Sequence, residues 1–267
     1  MISDSHVHTY HSGDSNANIN LVIKQAILKG MPYLAITDHH DFYIENERFV
    51  LEFDAYVKEI KELQKIYNNS DFTLIFGLEQ GLDPRFTDDI NRVTTAYDFD
   101  FIIGSSHIAN GVDPCYPEFF EGRTVHVAML EYFESILKNL SLFNNFDVYG
   151  HIDYAIRYTP DGPRSYEYSE YQDILDEILK TIIDKGKGIE INTSNLRKGL
   201  TYTNPTAQVI NRYRELGGEI ITVGSDSHQD DANGVGYGFD IANQILLNAG
   251  FKHYNVFKNR IPIYLDL

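Results

Sequence analysis

The stretch SDSHVHTYHSGDS (residues 3–15) places three histidines and two aspartates within thirteen residues. Read as a strand over residues 4–8, it sets His6 and His8 two apart, and therefore on one face. Two imidazoles aimed the same way from a strand end make half of a metal site. The other donors must come from further along the chain. The fold question thus becomes where the remaining His, Asp and Glu residues fall.

Working outward, β-rich runs recur at residues 34–37, 74–79, 101–106, 148–151, 188–192 and 220–225. Stretches with helical period lie between them. NINLVIKQAILKG (18–30) sets Ile19, Val22, Ile23, Ala26 and Ile27 on one stripe and ends at Gly30, a suitable helix-closing residue. FDAYVKEIKELQKIY (53–67), TVHVAMLEYFESILKNL (124–140), YQDILDEILKTIIDKG (171–186) and NPTAQVINRYRELGG (204–218) behave alike. No repeat, low-complexity tract or Gly/Ser linker divides the chain, so residues 1–267 read as one domain. Seven strands alternating with helices predict a closed or nearly closed parallel barrel. A doubly wound open sheet is the alternative, though no GxGxxG follows an early strand.

The polar residues favour the barrel. His6 and His8 end the first strand, Asp38 and His39 follow the second, Glu79 ends the third and His107 follows the fourth. His151 closes the fifth, Asn192 ends the sixth, and Asp226 and His228 follow the seventh. Parallel barrels gather their chemistry at these carboxyl ends. Imidazole mixed with carboxylate suits a borderline dication such as zinc, manganese or ferrous iron. The donors are too many for one tetrahedral ion, and Glu79 can bridge two ions with its two oxygens.

Composition narrows the partners. Twenty-two Lys and Arg against 39 Asp and Glu leave a formal charge of −17, which repels a nucleic-acid backbone. A small phosphate ester stays possible, because bound cations reverse the local sign. No apolar run is long enough to span a bilayer, and the first residues lack signal-peptide order, so no membrane partner and a cytoplasmic location are expected. The single cysteine, Cys115, excludes an intrachain disulfide and reads as inert. Oligomeric state leaves no trace in the sequence.

The motifs HVHT (6–9), ITDHHD (36–41), GLE (77–79), SSH (105–107), GHID (150–153) and GSDSH (224–228) resemble those of the PHP (polymerase and histidinol phosphatase) superfamily, in family order. HIANGVDPCYPEFFEGR (107–123) and INTSNLRKG (191–199) look like its histidinol-phosphatase branch. The resemblance implies a distorted (β/α)7 TIM-like barrel with three divalent ions, zinc foremost and manganese or ferrous iron as alternatives. It carries His6, His8, Glu79 and Asp226 onto the first ion, and Glu79, His107 and His151 onto the second. Asp14, His39 and His228 fall on the third, where relatives can have histidine in place of Asp14. Three dications less these three carboxylates leave a charge that a phosphomonoester dianion plus hydroxide would balance, and a diester fits less well.

The implied activity is hydrolysis of L-histidinol phosphate to L-histidinol and inorganic phosphate in histidine biosynthesis, by in-line attack of metal-generated hydroxide on phosphorus. Arg157 and Arg197 resemble the branch's phosphate-gripping arginines, whose planar forks suit that task. His40 could face substrate beside His39, Tyr116 could wall the imidazole, and Glu118 or Asp113 could meet the ammonium. Cys115 stands where relatives often carry an aromatic residue. Asp38 and Asp153 are either orienting groups for adjacent histidines or surface carboxylates, whereas Asp4 and His11 read as supporting. His126 and His253 read as structural. The competing readings are a PHP-type esterase for another small phosphate ester or nucleotide, a metal-dependent amidohydrolase, and a noncatalytic metal-binding module.

Overall fold

The computed structural model describes residues 3–42, 49–162 and 165–267. Strands β1 (Tyr33–Ile36), β3 (Thr73–Gly81), β4 (Phe101–Ser105), β5 (Val148–Tyr149), β6 (Gly188–Asn192) and β7 (Ile221–Gly224) pair in that order, all parallel, and β2 (His39–His40) also pairs with β3. Helices α1 (Ile19–Leu28), α2 (Phe53–Tyr67), α3 (Thr87–Ala96), α4 (Val125–Leu142), α5 (Gln172–Asp184), α6 (Ser194–Arg197), α7 (Ala207–Glu215) and α8 (Phe239–Asn248) fall between or after the strands. A strand order that never reverses excludes the doubly wound sheet, which needs a switch point. The fold is the distorted TIM-like barrel.

Residues 4–8 do not form the continuous strand expected of them. They run between the two edges of the sheet, bridging at Asp4 to Leu34 and at Val7 to Ser227. Hydrogen bonds leave both sides: Ala35 N–H to the Asp4 carbonyl and Thr37 N–H to Val7, then Ser5 N–H to Val223 and Asp226 N–H to His6. The segment is shared obliquely between two edges, so each pairing is one residue long. Its position carries His6 and His8 into the barrel mouth.

Side-chain alternation along the strands divides the interior. On β3, Leu74, Phe76 and Leu78 face the helix layer, while Ile75 and Glu79 face inward. Ile75, Phe101, Ile103 and Val148 form an apolar floor, and Glu79, Ser105 and Glu190 lie above it as buried polar groups. Gly224 lacks a Cβ where one would overlap both the Glu190 carboxylate and the His6 Cβ. On α1, Asn18 caps the amino end through the Asn20 and Leu21 N–H groups, and Ile19, Val22, Ile23 and Ala26 are buried. Ile27, expected on the same stripe, lies at its edge and is exposed.

A carboxy-terminal hairpin, β8 (His253–Lys258) and β9 (Ile261–Asp266), was not anticipated from the sequence. It closes the lower end of the barrel. Phe257 stacks on Phe101 at 5.1 Å within the floor cluster, and Arg260 and Lys258 pair with Asp147 and Asp100 at 2.6 and 3.0 Å. Phe257→Ala should therefore cost about 3–5 kcal/mol of unfolding free energy, read from urea midpoints. A loss below about 1 kcal/mol would show that the ring does not seal the floor.

Candidate active site

The parallel register brings distant motifs to one rim. His39 and Glu79 are direct register partners, so their side chains leave β2 and β3 on the same face. His107 and His151 follow the ends of β4 and β5 by two residues, and Asp226 and His228 follow β7. Asp226 and His228 lie against His8, while His39, His107 and His151 converge on Glu79, whose carboxylate is fully buried. Its Oε2 lies 3.1, 3.5 and 2.8 Å from His6 Nε2, His8 Nε2 and His39 Nδ1. Its Oε1 lies 3.3 and 2.9 Å from the Nε2 atoms of His107 and His151, and accepts the Ser105 hydroxyl at 2.7 Å.

The geometry fits bound cations. Among the described residues, His6 Nε2, His8 Nε2, His39 Nδ1 and Glu79 Oε2 are buried without a hydrogen-bond partner, although they stand at ion-pair distance. Groups that approach without aligning to one another are aimed at a common centre. Donor atoms gather in overlapping sets: His6, His8 and Asp226; His6, Glu79 and His151; His39, Glu79 and His107; and His8, His39 and His228. Asp14 joins at the solvent side, with Oδ2 3.3 Å from His228 Nε2 and 3.9 Å from His39 Nε2.

A second layer of polar groups, largely missed from the sequence, aims these ligands. Glu190 accepts from His6 Nδ1 at 2.6 Å and from the His151 backbone N–H at 3.0 Å. Asp41 contacts His107 Nδ1 at 2.9 Å. Such partners set the ring orientation and leave the other nitrogen for a cation. Asp38 reaches an imidazole only through Ser12 among the described residues: it accepts the Ser12 hydroxyl at 2.7 Å, and Ser12 in turn meets His8 Nδ1 at 3.1 Å. Asp153 accepts from Asn204 Nδ2 at 2.6 Å, and Asn204 Oδ1 accepts from Arg157 Nε at 2.8 Å. Both carboxylates are buried, so neither is a surface group.

Electrostatics differ along the cluster. Burial alone would raise the Glu79 pKa, but His6, His39 and His107 outweigh it and hold it well below the usual range. Burial also opposes ionisation of Asp226, and His6, His8 and Arg157 again prevail. Burial and the neighbouring His228 and His39 drive His8 well down, which keeps it neutral, the form that binds a cation. His6 and His107 go the other way: burial would lower them, but Glu190 and Glu79 raise His6, while Asp41 and Glu79 raise His107.

The rim opens into a cavity of about 450 Å³, lined by the outer ligands, Arg157, Arg197, Asp113, Cys115, Tyr154 and Tyr158 among others. Arg157 is buried and donates to Asp226 Oδ2 at 3.3 Å and Asn192 Oδ1 at 3.1 Å. Arg197 donates to the Ser225 and Asp226 carbonyls at 2.9 and 2.8 Å. Three residues offered as substrate contacts, His40, Tyr116 and Glu118, are not brought there. His40 is buried between the Phe42 and Phe53 rings, with Nδ1 accepting the Leu51 N–H at 3.0 Å. Tyr116 is about half exposed and outside the lining, Glu118 is exposed and also outside it, and the same loop contributes Asp113 and Cys115 instead. His11 holds its loop to α2 through Glu59 at 2.6 Å, and Asp4 receives the Ser225 and Gly236 N–H groups. His126 stacks on Tyr171, and His253 pairs with Asp266.

The chain is similar to known proteins over most of its length. The PHP domain family model matches residues 4–194. A Clostridium acetobutylicum protein named as a probable histidinol-phosphatase is 34% identical over 94% of this chain and 95% of its own length. The histidinol-phosphatase of Lactococcus lactis subsp. lactis is 34% identical over 84% and 83% of the two chains. A crystal structure of histidinol phosphate phosphatase from Lactococcus lactis subsp. lactis, complexed with zinc, L-histidinol and phosphate, superposes with a TM-score of 0.89 at 30% identity over 98% of both chains.

Two outcomes test the cluster. Glu190→Gln should weaken zinc binding by about 10–100-fold in chelator competition, since it alters the group that holds His6. Unchanged affinity would remove Glu190 from the cluster. Zinc must displace the protons of His6, His39 and His107, so affinity should climb with pH up to about 9, the value to which Glu79 raises His39 against the effect of burial. Titrations giving a flat profile from pH 6 to 9 would contradict the proton assignment.

Proposed function

The chain belongs to the PHP domain family, and from that premise we propose that it hydrolyses L-histidinol phosphate to L-histidinol and inorganic phosphate, with residues 1–267 acting as one unit in the cytoplasm. One observation carries the reading. A ligand cluster centred on Glu79 and two guanidinium groups share the same small cavity. The relative crystallised with zinc, L-histidinol and phosphate supports it, because that protein matches this chain almost end to end.

In this reading three zinc ions would be held by His6, His8, Glu79 and Asp226; by Glu79, His107 and His151; and by Asp14, His39 and His228. Bound dications supply Lewis acidity toward phosphoryl oxygens and acidify the attacking water. The protein's own part is positioning. Glu190 and Asp41 fix two imidazoles, and Ser12 fixes a third. Arg157 is held by Asn204, Asn192 and Asp226, so its planar fork is ordered before substrate arrives. Its uncommitted N–H groups, with those of Arg197, face the phosphate oxygens. Asp113 lies on the lining beside Tyr154 and meets the cationic end of the substrate. A nucleic acid or a membrane has no place in this account.

Metal-replete protein assayed against L-histidinol phosphate, a nucleoside monophosphate and an aryl phosphodiester should prefer the first. Preference for the nucleotide would move the assignment to another PHP-type esterase, and preference for the diester would overturn it. Arg157→Ala should lower kcat/KM by about 10–100-fold, the worth of a charge-assisted hydrogen bond. Metals per chain should not change, because Asn192 still holds Asp226 at 3.2 Å. Wild-type kinetics in that variant would reject the role of Arg157.

A further inference from the structure

The cavity is lined by a third cation, Lys198, which follows α6 at the mouth. Its base is fixed: the backbone N–H donates to the Ser194 and Asn195 carbonyls, and Gly199 then turns the chain at φ +81°. Among the described residues, its ammonium makes no hydrogen bond or ion pair. The two arginines are in the opposite condition. A guanidinium has five N–H groups. Arg157 donates to Asn204, Asp226 and Asn192, and Arg197 to the Ser225, Asp226 and Gly234 carbonyls. Each arginine thus has bonds to three partners, and both hold Asp226, whose backbone sits at the left-handed φ of +50°.

We propose that Lys198 is the cation that captures the substrate's phosphate at the cavity mouth and holds it against the arginines. This rests on the phosphomonoesterase reading above. Charge supports it. Glu190 and Asp41 add two carboxylates to the three that the sequence places among the ligands, which cuts the positive excess that three dications would leave there. The whole chain carries −17, so a dianion crosses a negative exterior field before it reaches the cluster. A cation at the entrance offsets that field where it opposes entry. A compact ammonium on a flexible stem can follow an incoming phosphate, as two arginines fixed by their partners cannot.

The test uses full-length, metal-replete protein with Lys198→Met, Lys198→Arg and Lys198→Glu. In Lys198→Met the KM for L-histidinol phosphate and the calorimetric Kd for inorganic phosphate should both rise about tenfold or more, with kcat and metals per chain retained. Lys198→Arg should restore most of the affinity, and Lys198→Glu should lose more than Lys198→Met. The fall of kcat/KM with added salt should flatten in Lys198→Met. Wild-type KM and phosphate Kd in Lys198→Met would overturn the proposal, as would a loss confined to kcat. A wild-type protein inactive on L-histidinol phosphate would instead strike the functional reading, and the phosphate Kd would still decide the role of Lys198.

Discussion

Everything at the rim is arranged around one carboxylate placed where a carboxylate is costly. Glu79 is fully buried, and taking such a charge out of water costs several kcal/mol unless it is compensated. Five imidazoles surround its two oxygens, three on one and two on the other. Several of these nitrogens lack a hydrogen-bond partner among the described residues, which by themselves do not complete the compensation. Divalent ions between the imidazoles and the carboxylate would complete it.

The fold can be understood as the means of bringing those imidazoles together. Only a parallel sheet curled on itself sends the ends of every strand to a shared rim, and the segment at residues 4–8 bridges its two edges. Below the rim the interior turns apolar, and the terminal hairpin seals it with Phe257. A dry floor beneath a polar mouth keeps the local dielectric low, which strengthens each charge contact above it.

Much of this was legible in the sequence, because regular strands convert spacing into direction. His6 and His8 share a face, and the other candidate ligands recur at strand ends. The same rule could have gone further. Adjacent residues in a strand face opposite ways, so His39 and His40 could not both look into the site, and the structure turns His40 outward. Glu190 sits two residues before Asn192 on β6 and shares its face, a signal present but unread in GIEIN. Other features had no periodic signal. Tyr116, expected in the cavity wall, lies outside the lining that Cys115 joins, and Arg197 meets backbone carbonyls that no motif reveals. The hairpin at β8 and β9 was hidden by a short run that follows the last helix.

The account stands most directly on elemental analysis of protein purified without added metal or chelator, compared with a Glu79→Gln variant. It predicts close to three transition-metal ions per folded wild-type chain, with at least two lost when Glu79 is neutralised. A folded wild-type chain without stoichiometric metal, or a variant that keeps its full complement, would contradict it.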